Sequence, residues 1–219
     1  MVYSTRRRQF VAAMEDILDL YCMPYNGNCP VVCMDEKPYQ LLAECHEPMA
    51  MKPGSVKKID NEYERMGTCS IFVFSQPLTG WTYTHARKHR TAIDWAHEIK
   101  ELLTVHFPNV PKIKLVIDNL NTHVIASLYK AFPAKEAREL AARLELHYTP
   151  KHGSWLNIAE IMISILARQC ICRRIPSLDM LNTELAAWHN DRNINRSPVK
   201  WQFTTDDARV KLYKLYPQF

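Results

Sequence analysis

Glycine is scarce in this sequence. Five glycines in 219 residues leave no G-x-G-x-x-G fingerprint and no P-loop, so nucleotide binding of those two kinds is not expected. The cysteines are unorganised. The seven stand at positions 22, 29, 33, 45, 69, 170 and 172, an odd count with no C-x-x-C pair, and Cys170 and Cys172 are too close in sequence for zinc-finger geometry. A disulfide framework and a structural zinc site are therefore disfavoured, and reduced, buried thiols are expected. No apolar run reaches the roughly 18 residues of a membrane span. The basic start leads into an amphipathic stretch, without the apolar segment and small-residue cleavage site of a secretory signal, so the cytoplasm is the expected location. Internal repeats and low-complexity tracts are absent.

The remainder has the composition of a globular protein, with 47% hydrophobic and 23% charged residues. Its length suits one domain with a good core, with or without appended helices. A net charge of +5 and a pI near 8.8 permit a nucleic-acid partner but fall short of the value above about 9 that argues for one unaided.

Phe10, Met14, Ile17, Leu18 and Tyr21 recur at helical spacing and predict a helix over 8–22. Val31–Met34 reads as a short buried strand ending at Asp35-Glu36. Strands are predicted over 68–76 and 81–87, joined by the turn Pro77–Gly80. A helix follows over 92–106, then a strand over 113–117 that ends at Asp118-Asn119. One or two helices broken near Pro133, a strand over 144–148 and an apolar helix over 158–171 come next. A helix over 178–189 and a last short helix capped by Thr204 close the chain. An antiparallel meander followed by βαβ elements predicts an α/β fold: a mixed five-stranded sheet flanked by helices, the order of the ribonuclease H-like fold.

Two of these strands run directly into a carboxylate, Val-Val-Cys-Met-Asp35 and Lys-Leu-Val-Ile-Asp118. The carboxyl ends of strands are where ligands collect in open α/β sheets. An unpaired charge there, next to the core, is costly, and a divalent cation shared by both groups removes that cost. Taken singly, each Asp is equally a turn residue. Glu160 opens an otherwise apolar segment, with Ile163 and Ala167 expected on its own helix face. Taken alone, it is also the acidic residue that a helix N-terminus favours. Three carboxylates together suit phosphodiester chemistry, in which two Mg²⁺ ions clamp the attacking and leaving oxygens of an in-line displacement.

The blocks Val-Val-Cys-Met-Asp35-Glu36-Lys-Pro, Leu-Val-Ile-Asp118-Asn119-Leu-Asn-Thr-His123 and His-Tyr-Thr-Pro-Lys-His-Gly-Ser-Trp-Leu-Asn157-Ile-Ala-Glu160 resemble the three motifs of DDE transposases. The nearest resemblance is to bacterial insertion-sequence transposases of the mariner-like superfamily (the IS six-thirty group), and it runs from about Phe10 to the final Trp-Gln-Phe-Thr-Thr-Asp-Asp-Ala-Arg block. It implies Asp35, Asp118 and Glu160 as catalytic, metal-binding residues using Mg²⁺ or Mn²⁺, with Asn119, His123 and Asn157 in support. It also implies cleavage at transposon ends by water, followed by attack of the freed 3′-hydroxyl on target DNA, usually at TA. The partners it implies are terminal inverted repeats, a TA target and a second copy of the chain on DNA.

Relatives carry an N-terminal helix-turn-helix region, whereas here one helix precedes the first strand. The expected organisation is a linker helix over 1–29, left from a longer N-terminal region, and a catalytic domain over 30–219. The chain is then expected to be a fragment, a split reading frame whose DNA recognition falls to a separate helix-turn-helix chain, or a decayed copy. DNA contacts are expected mainly to phosphates. Candidates are Lys151, His152, Arg168, Arg173 and Arg174, each of which is also an ordinary solvated surface residue. The alternatives to a transposase are another ribonuclease H-like nuclease and a non-catalytic module for DNA binding or assembly.

Overall fold

Five strands form a single mixed sheet in the order β3-β2-β1-β4-β5 in a computed structural model that describes residues 2–46, 49, 51–55 and 61–216. The elements in chain order are α1 (Val2–Cys22), β1 (Val31–Glu44), β2 (Tyr63–Gln76), β3 (Trp81–Arg87), α2 (Ala92–Glu101), β4 (Ile113–Ile117), α3 (Ala126–Ala131), α4 (Ala134–Ala142), β5 (Leu144–Tyr148), α5 (Ala159–Gln169), α6 (Leu178–Ile194) and α7 (Thr205–Lys211). The first three strands are antiparallel neighbours, and β4 and β5 are added parallel to β1. The expected mixed sheet with helices on both faces is the one observed.

Strand alternation distributes the core. Val32 and Met34 of β1, Phe72 and Phe74 of β2, and Leu115 and Ile117 of β4 pack on one face against Trp95 and Ile99 of α2 and Leu128 of α3. The intervening residues face the other way. Ile71 and Val73 meet Met162 and Leu166 of α5 and Leu181 and Leu185 of α6, while Cys33 and Val116 meet α1 and the approach to α5.

Three expectations need correction. β1 does not end at Asp35: it continues to Glu44, paired with a β2 of equal length, with a register shift between Leu41 and Leu42. The residues past Asp35 are mostly polar, so hydrophobic patterning gave no sign of them. Pro38 is tolerated because β4 flanks β1 only at Val31–Cys33, which leaves that edge free where the proline lacks its N–H. Met14, Ile17, Leu18 and Leu20 of α1 are buried in the core. Of the thiols, Cys33, Cys69 and Cys170 are buried but Cys22, Cys45 and Cys172 are exposed, and all seven are free. Glu160, Ile161, Ser164 and Arg168 lie on the solvent side of α5 while Ala159, Met162 and Leu166 are buried, so Glu160 is not on the apolar stripe.

The outer edge of β3 is closed by side chains of α6. Asn193 pairs with both the N–H and the carbonyl of Thr82 at 2.8 Å, Asn182 does the same for Ala86 at 2.7 and 3.1 Å, and His189 meets the N–H of Thr84 between them. Three side chains thus stand in for the missing neighbour strand and remove an edge open to mispairing.

Candidate active site

The parallel register of β1 and β4 sets the geometry. Val31, Val32 and Cys33 lie opposite Lys114, Leu115 and Val116, and the same offset continued past the end of β4 brings Asp118 beside Asp35. The third carboxylate arrives through Asn157. Its Nδ2 donates to the Met34 carbonyl at 2.9 Å and lies 3.4 Å from Asp35 Oδ2, while its Oδ1 accepts from the Ala159 N–H at 3.1 Å. One buried amide thus ties the residue before Asp35 to the first turn of α5, where Glu160 stands. Tyr21 of α1 holds the same turn from behind, donating to the Leu156 carbonyl at 2.7 Å.

Charge accumulates where the three meet. Burial is the main reason that the Asp35 carboxyl is pushed up to about 7, against the pull of the Glu36 N–H, and the negative fields of Glu160, Asp118 and Glu36 add to it. Asp118 is partly exposed, yet its Oδ1 is buried and accepts no hydrogen bond. That oxygen lies 2.5 Å from Nδ1 of His123, a close ionic contact out of line for a directed N–H···O bond. The other ring nitrogen, Nε2, lies 3.0 Å from Oε1 of Glu36. Burial alone would lower the pKa of His123, but its contacts with Asp118 and Glu36 outweigh that and lift it to about 9. The imidazole is therefore positive at neutral pH. Tyr148 of β5 fixes its backbone by donating to the His123 carbonyl at 2.9 Å.

Asp35, Asp118 and Glu160 offer only hard oxygen donors, with an excess of negative charge and one buried oxygen lacking a directed partner. That set fits Mg²⁺ or Mn²⁺. The three do not converge as tightly as His85, Glu98 and Glu101, whose donor atoms, among the described residues, lie within 4.8 Å of one another. That second cluster is closed on itself. Buried Glu98 already binds His85 Nδ1 at 2.7 Å and the Arg87 guanidinium through the same Oε1, and Glu101 accepts from Tyr83 at 2.8 Å. A guanidinium in place repels a cation, so we read this cluster as an internal ion pair.

The remaining candidates separate. Asn119 is exposed beside Asp118, as are Lys151 and His152 in the turn leading to α5, where His152 takes a positive φ of 66°. Arg168 is exposed and two helical turns beyond Glu160 on the same face. Arg173 pairs with Glu184 at 2.5 Å. Arg174 is occupied by Glu44 and by the carbonyls of Glu62 and Asn61, where it fastens the far end of the β1–β2 ribbon. Glu36 was not singled out by the sequence reading, although it stands inside the first motif. Its only signal was a charge at an alternation position that faces the core.

A family model described as DDE superfamily endonuclease matches residues 30–182, a stretch that holds all three carboxylates. The chain belongs to the DDE superfamily endonucleases. Among solved structures, a Mos1 mariner paired-end complex with Mn is similar at 14% identity and a TM-score of 0.56, covering 87% of this chain and 59% of that one. A pre-cleavage Mos1 transpososome gives 14% and 0.57 over 99% of this chain and 64% of its own. The Mos1 strand transfer complex gives 13% and 0.55 over 85% and 55%. This DDE endonuclease therefore has the ribonuclease H-like fold of those catalytic domains and spans less than two thirds of their chains. No curated protein sequence matches it.

Glu160 is exposed, whereas Asp35 and Asp118 are half-buried. A cavity of about 480 Å³ lined by Met23, Tyr25, Gln76 and Lys114 sits at the opposite end of the parallel strands, roughly 13 Å away at about 3.3 Å per residue.

Proposed function

We propose that this chain is the catalytic domain of an insertion-sequence transposase, a metal-dependent DNA endonuclease and strand transferase in which Asp35, Asp118 and Glu160 hold Mg²⁺ or Mn²⁺. The observation that carries the reading is the meeting of carboxylates from β1, β4 and α5 around Asp35, whose ionised form is costly without a counter-charge. When bound, the metal supplies Lewis-acid stabilisation of the attacking and leaving oxygens at phosphorus. The chain's own residues supply position. Asn157 locks the start of α5 to β1, and His123 turns one oxygen of Asp118 inward.

In the first step a water oxygen bonds to phosphorus, the bond to the 3′-oxygen breaks, and that oxygen leaves as a 3′-hydroxyl. In the second, the oxygen of that hydroxyl bonds to a target phosphorus, the target's own bond from phosphorus to its 3′-oxygen breaks, and that oxygen leaves with the proton as a new 3′-hydroxyl, so one site serves both. The similar Mos1 structures, paired-end complexes with Mn, with Mg or with a left transposon end, support DNA and a divalent cation as partners here too. Terminal inverted repeats, a TA target, a homodimer on DNA, a separate helix-turn-helix chain, a linker role for 1–29 and a cytoplasmic location belong to the same reading. Lys151, His152 and Arg168 are exposed, which supports their meeting phosphates in this reading. Arg173 and Arg174 are engaged elsewhere.

The test is cleavage of a duplex bearing the inverted repeats that flank the gene, with Mg²⁺ and with EDTA. Cleavage by the wild type that is lost with EDTA and in Asp35→Ala, Asp118→Ala and Glu160→Ala supports the reading. Activity retained in any one variant removes that residue from the site. Cleavage of RNA–DNA hybrid alone would point to a different nuclease, and no Mg²⁺ binding by a folded chain to a non-catalytic module.

A further inference from the structure

Glu36 follows Asp35 on β1, and successive strand residues leave opposite faces of the sheet. Asp35 points with Cys33 toward α5, so Glu36 points with Val32 and Met34 into the layer of α2 and α3. There it stands opposite Phe72 of β2, with its side chain 4% exposed. Packing alone gives no reason for a carboxylate in that position, since an apolar residue would serve the layer better. Its one buried partner is His123, itself wholly buried, with Nε2 at 3.0 Å. The ring lies tilted against Trp95, centroids 5.9 Å apart, and its second nitrogen reaches Asp118. A single chain of contacts therefore runs from the far face of β1, through one imidazole, to the carboxylate at the end of β4.

We propose that Glu36 is a positioning residue for Asp118. It holds the His123 ring in the orientation that turns Asp118 Oδ1 inward and leaves Oδ2 open toward Asp35. Glu36 touches neither substrate nor metal; it acts only through His123. The inference rests on the reading of Asp118 as a metal ligand.

Mn²⁺ binding to the full chain, measured by electron paramagnetic resonance at fixed pH, tests it apart from catalysis. Glu36→Met fills the same volume on an apolar face and removes the acceptor. It is expected to lose some stability, because buried His123 is left without its partner at Nε2, and, where folded, to bind Mn²⁺ about tenfold more weakly, the scale of outer-shell losses at metal sites. Glu36→Gln, which still accepts from Nε2, is expected to recover most of that affinity. In a His123→Phe background, Glu36→Met is expected to change nothing further. A purely structural Glu36 would give the lost stability alone, with Mn²⁺ affinity intact. Should Glu36→Met fail to fold, Glu36→Asp carries the test, since one methylene fewer withdraws the acceptor and must also cost affinity. Affinity within about twofold of wild type in the folded variant, or losses that add in the double variant, would overturn the proposal. A wild type that binds no Mn²⁺ overturns the reading of Asp118 as well, whereas wild-type binding lost in Asp118→Ala but unmoved at Glu36 overturns this inference alone.

Discussion

At the scale of single residues, the site stores an electrostatic cost. Because Asp35 is raised from 3.8 to about 7, the folded chain holds its proton more tightly than the unfolded chain does. Ionising it therefore removes stability as pH rises from about 4 to about 7. Asp35→Asn should melt higher than wild type without metal near neutral pH, by a few kcal/mol at most given about 1.4 kcal/mol per pKa unit, and should lose the rise in melting temperature that Mg²⁺ gives the wild type. An Asn variant that melts lower in metal-free buffer would contradict this. His123 has the opposite sense. Raised from 6.5 to about 9, it contributes stability that is fully present below 6.5 and lost as pH climbs through 9. Calorimetric melting of metal-free protein should show that decline, and His123→Phe should flatten it while lowering stability throughout. The sequence displayed Asp35, Asp118 and Glu160 because a charge beside an apolar run stands out. It did not display the tie between Glu36 and His123, which are 87 positions apart and meet only across the sheet.

At the scale of elements, hydrophobic periodicity placed nearly every strand and helix, because each buries one face. It failed where burial stops deciding. Residues Lys37–Glu44 and Tyr63–Gly67 extend β1 and β2 through antiparallel pairing, not through an apolar pattern. The solvent face of α5 carries Ile161 at 43% exposure, which a reading by composition counts as core. The cap of β3 by α6 was equally hidden, since Asn182, His189 and Asn193 look like ordinary polar helix residues. Asn182→Leu with Asn193→Leu should cost about 2–4 kcal/mol in urea unfolding, because four backbone groups lose partners, and should raise association in light scattering as the edge opens. Unchanged stability would show that water replaces the amides. Gly80 is fixed by the same contact region. Its φ is 73°, and a Cβ there would sit 2.7 Å from the Ser197 backbone, so Gly80→Ala should destabilise by more than about 1 kcal/mol.

At the scale of the whole molecule, a net charge of +5 is spread over a chain whose proposed site is acidic, so DNA must be held by cations around the carboxylates. Binding to a non-specific duplex should weaken linearly in log–log form with salt. Lys151→Ala with Arg168→Ala should reduce that slope by about two, one per phosphate contact. Arg174→Ala should leave the slope unchanged and lower the melting temperature, since its guanidinium is spent on Glu44 and on the backbone of residues 61 and 62. The claim on which everything else depends is that the three carboxylates form the metal site. Crystals soaked in Mn²⁺ and measured at the manganese edge test it most directly. An anomalous peak is expected between Asp35 and Asp118, within reach of Glu160, and is expected to disappear in Asp118→Ala. A peak at His85, Glu98 and Glu101 with none at the trio would contradict it.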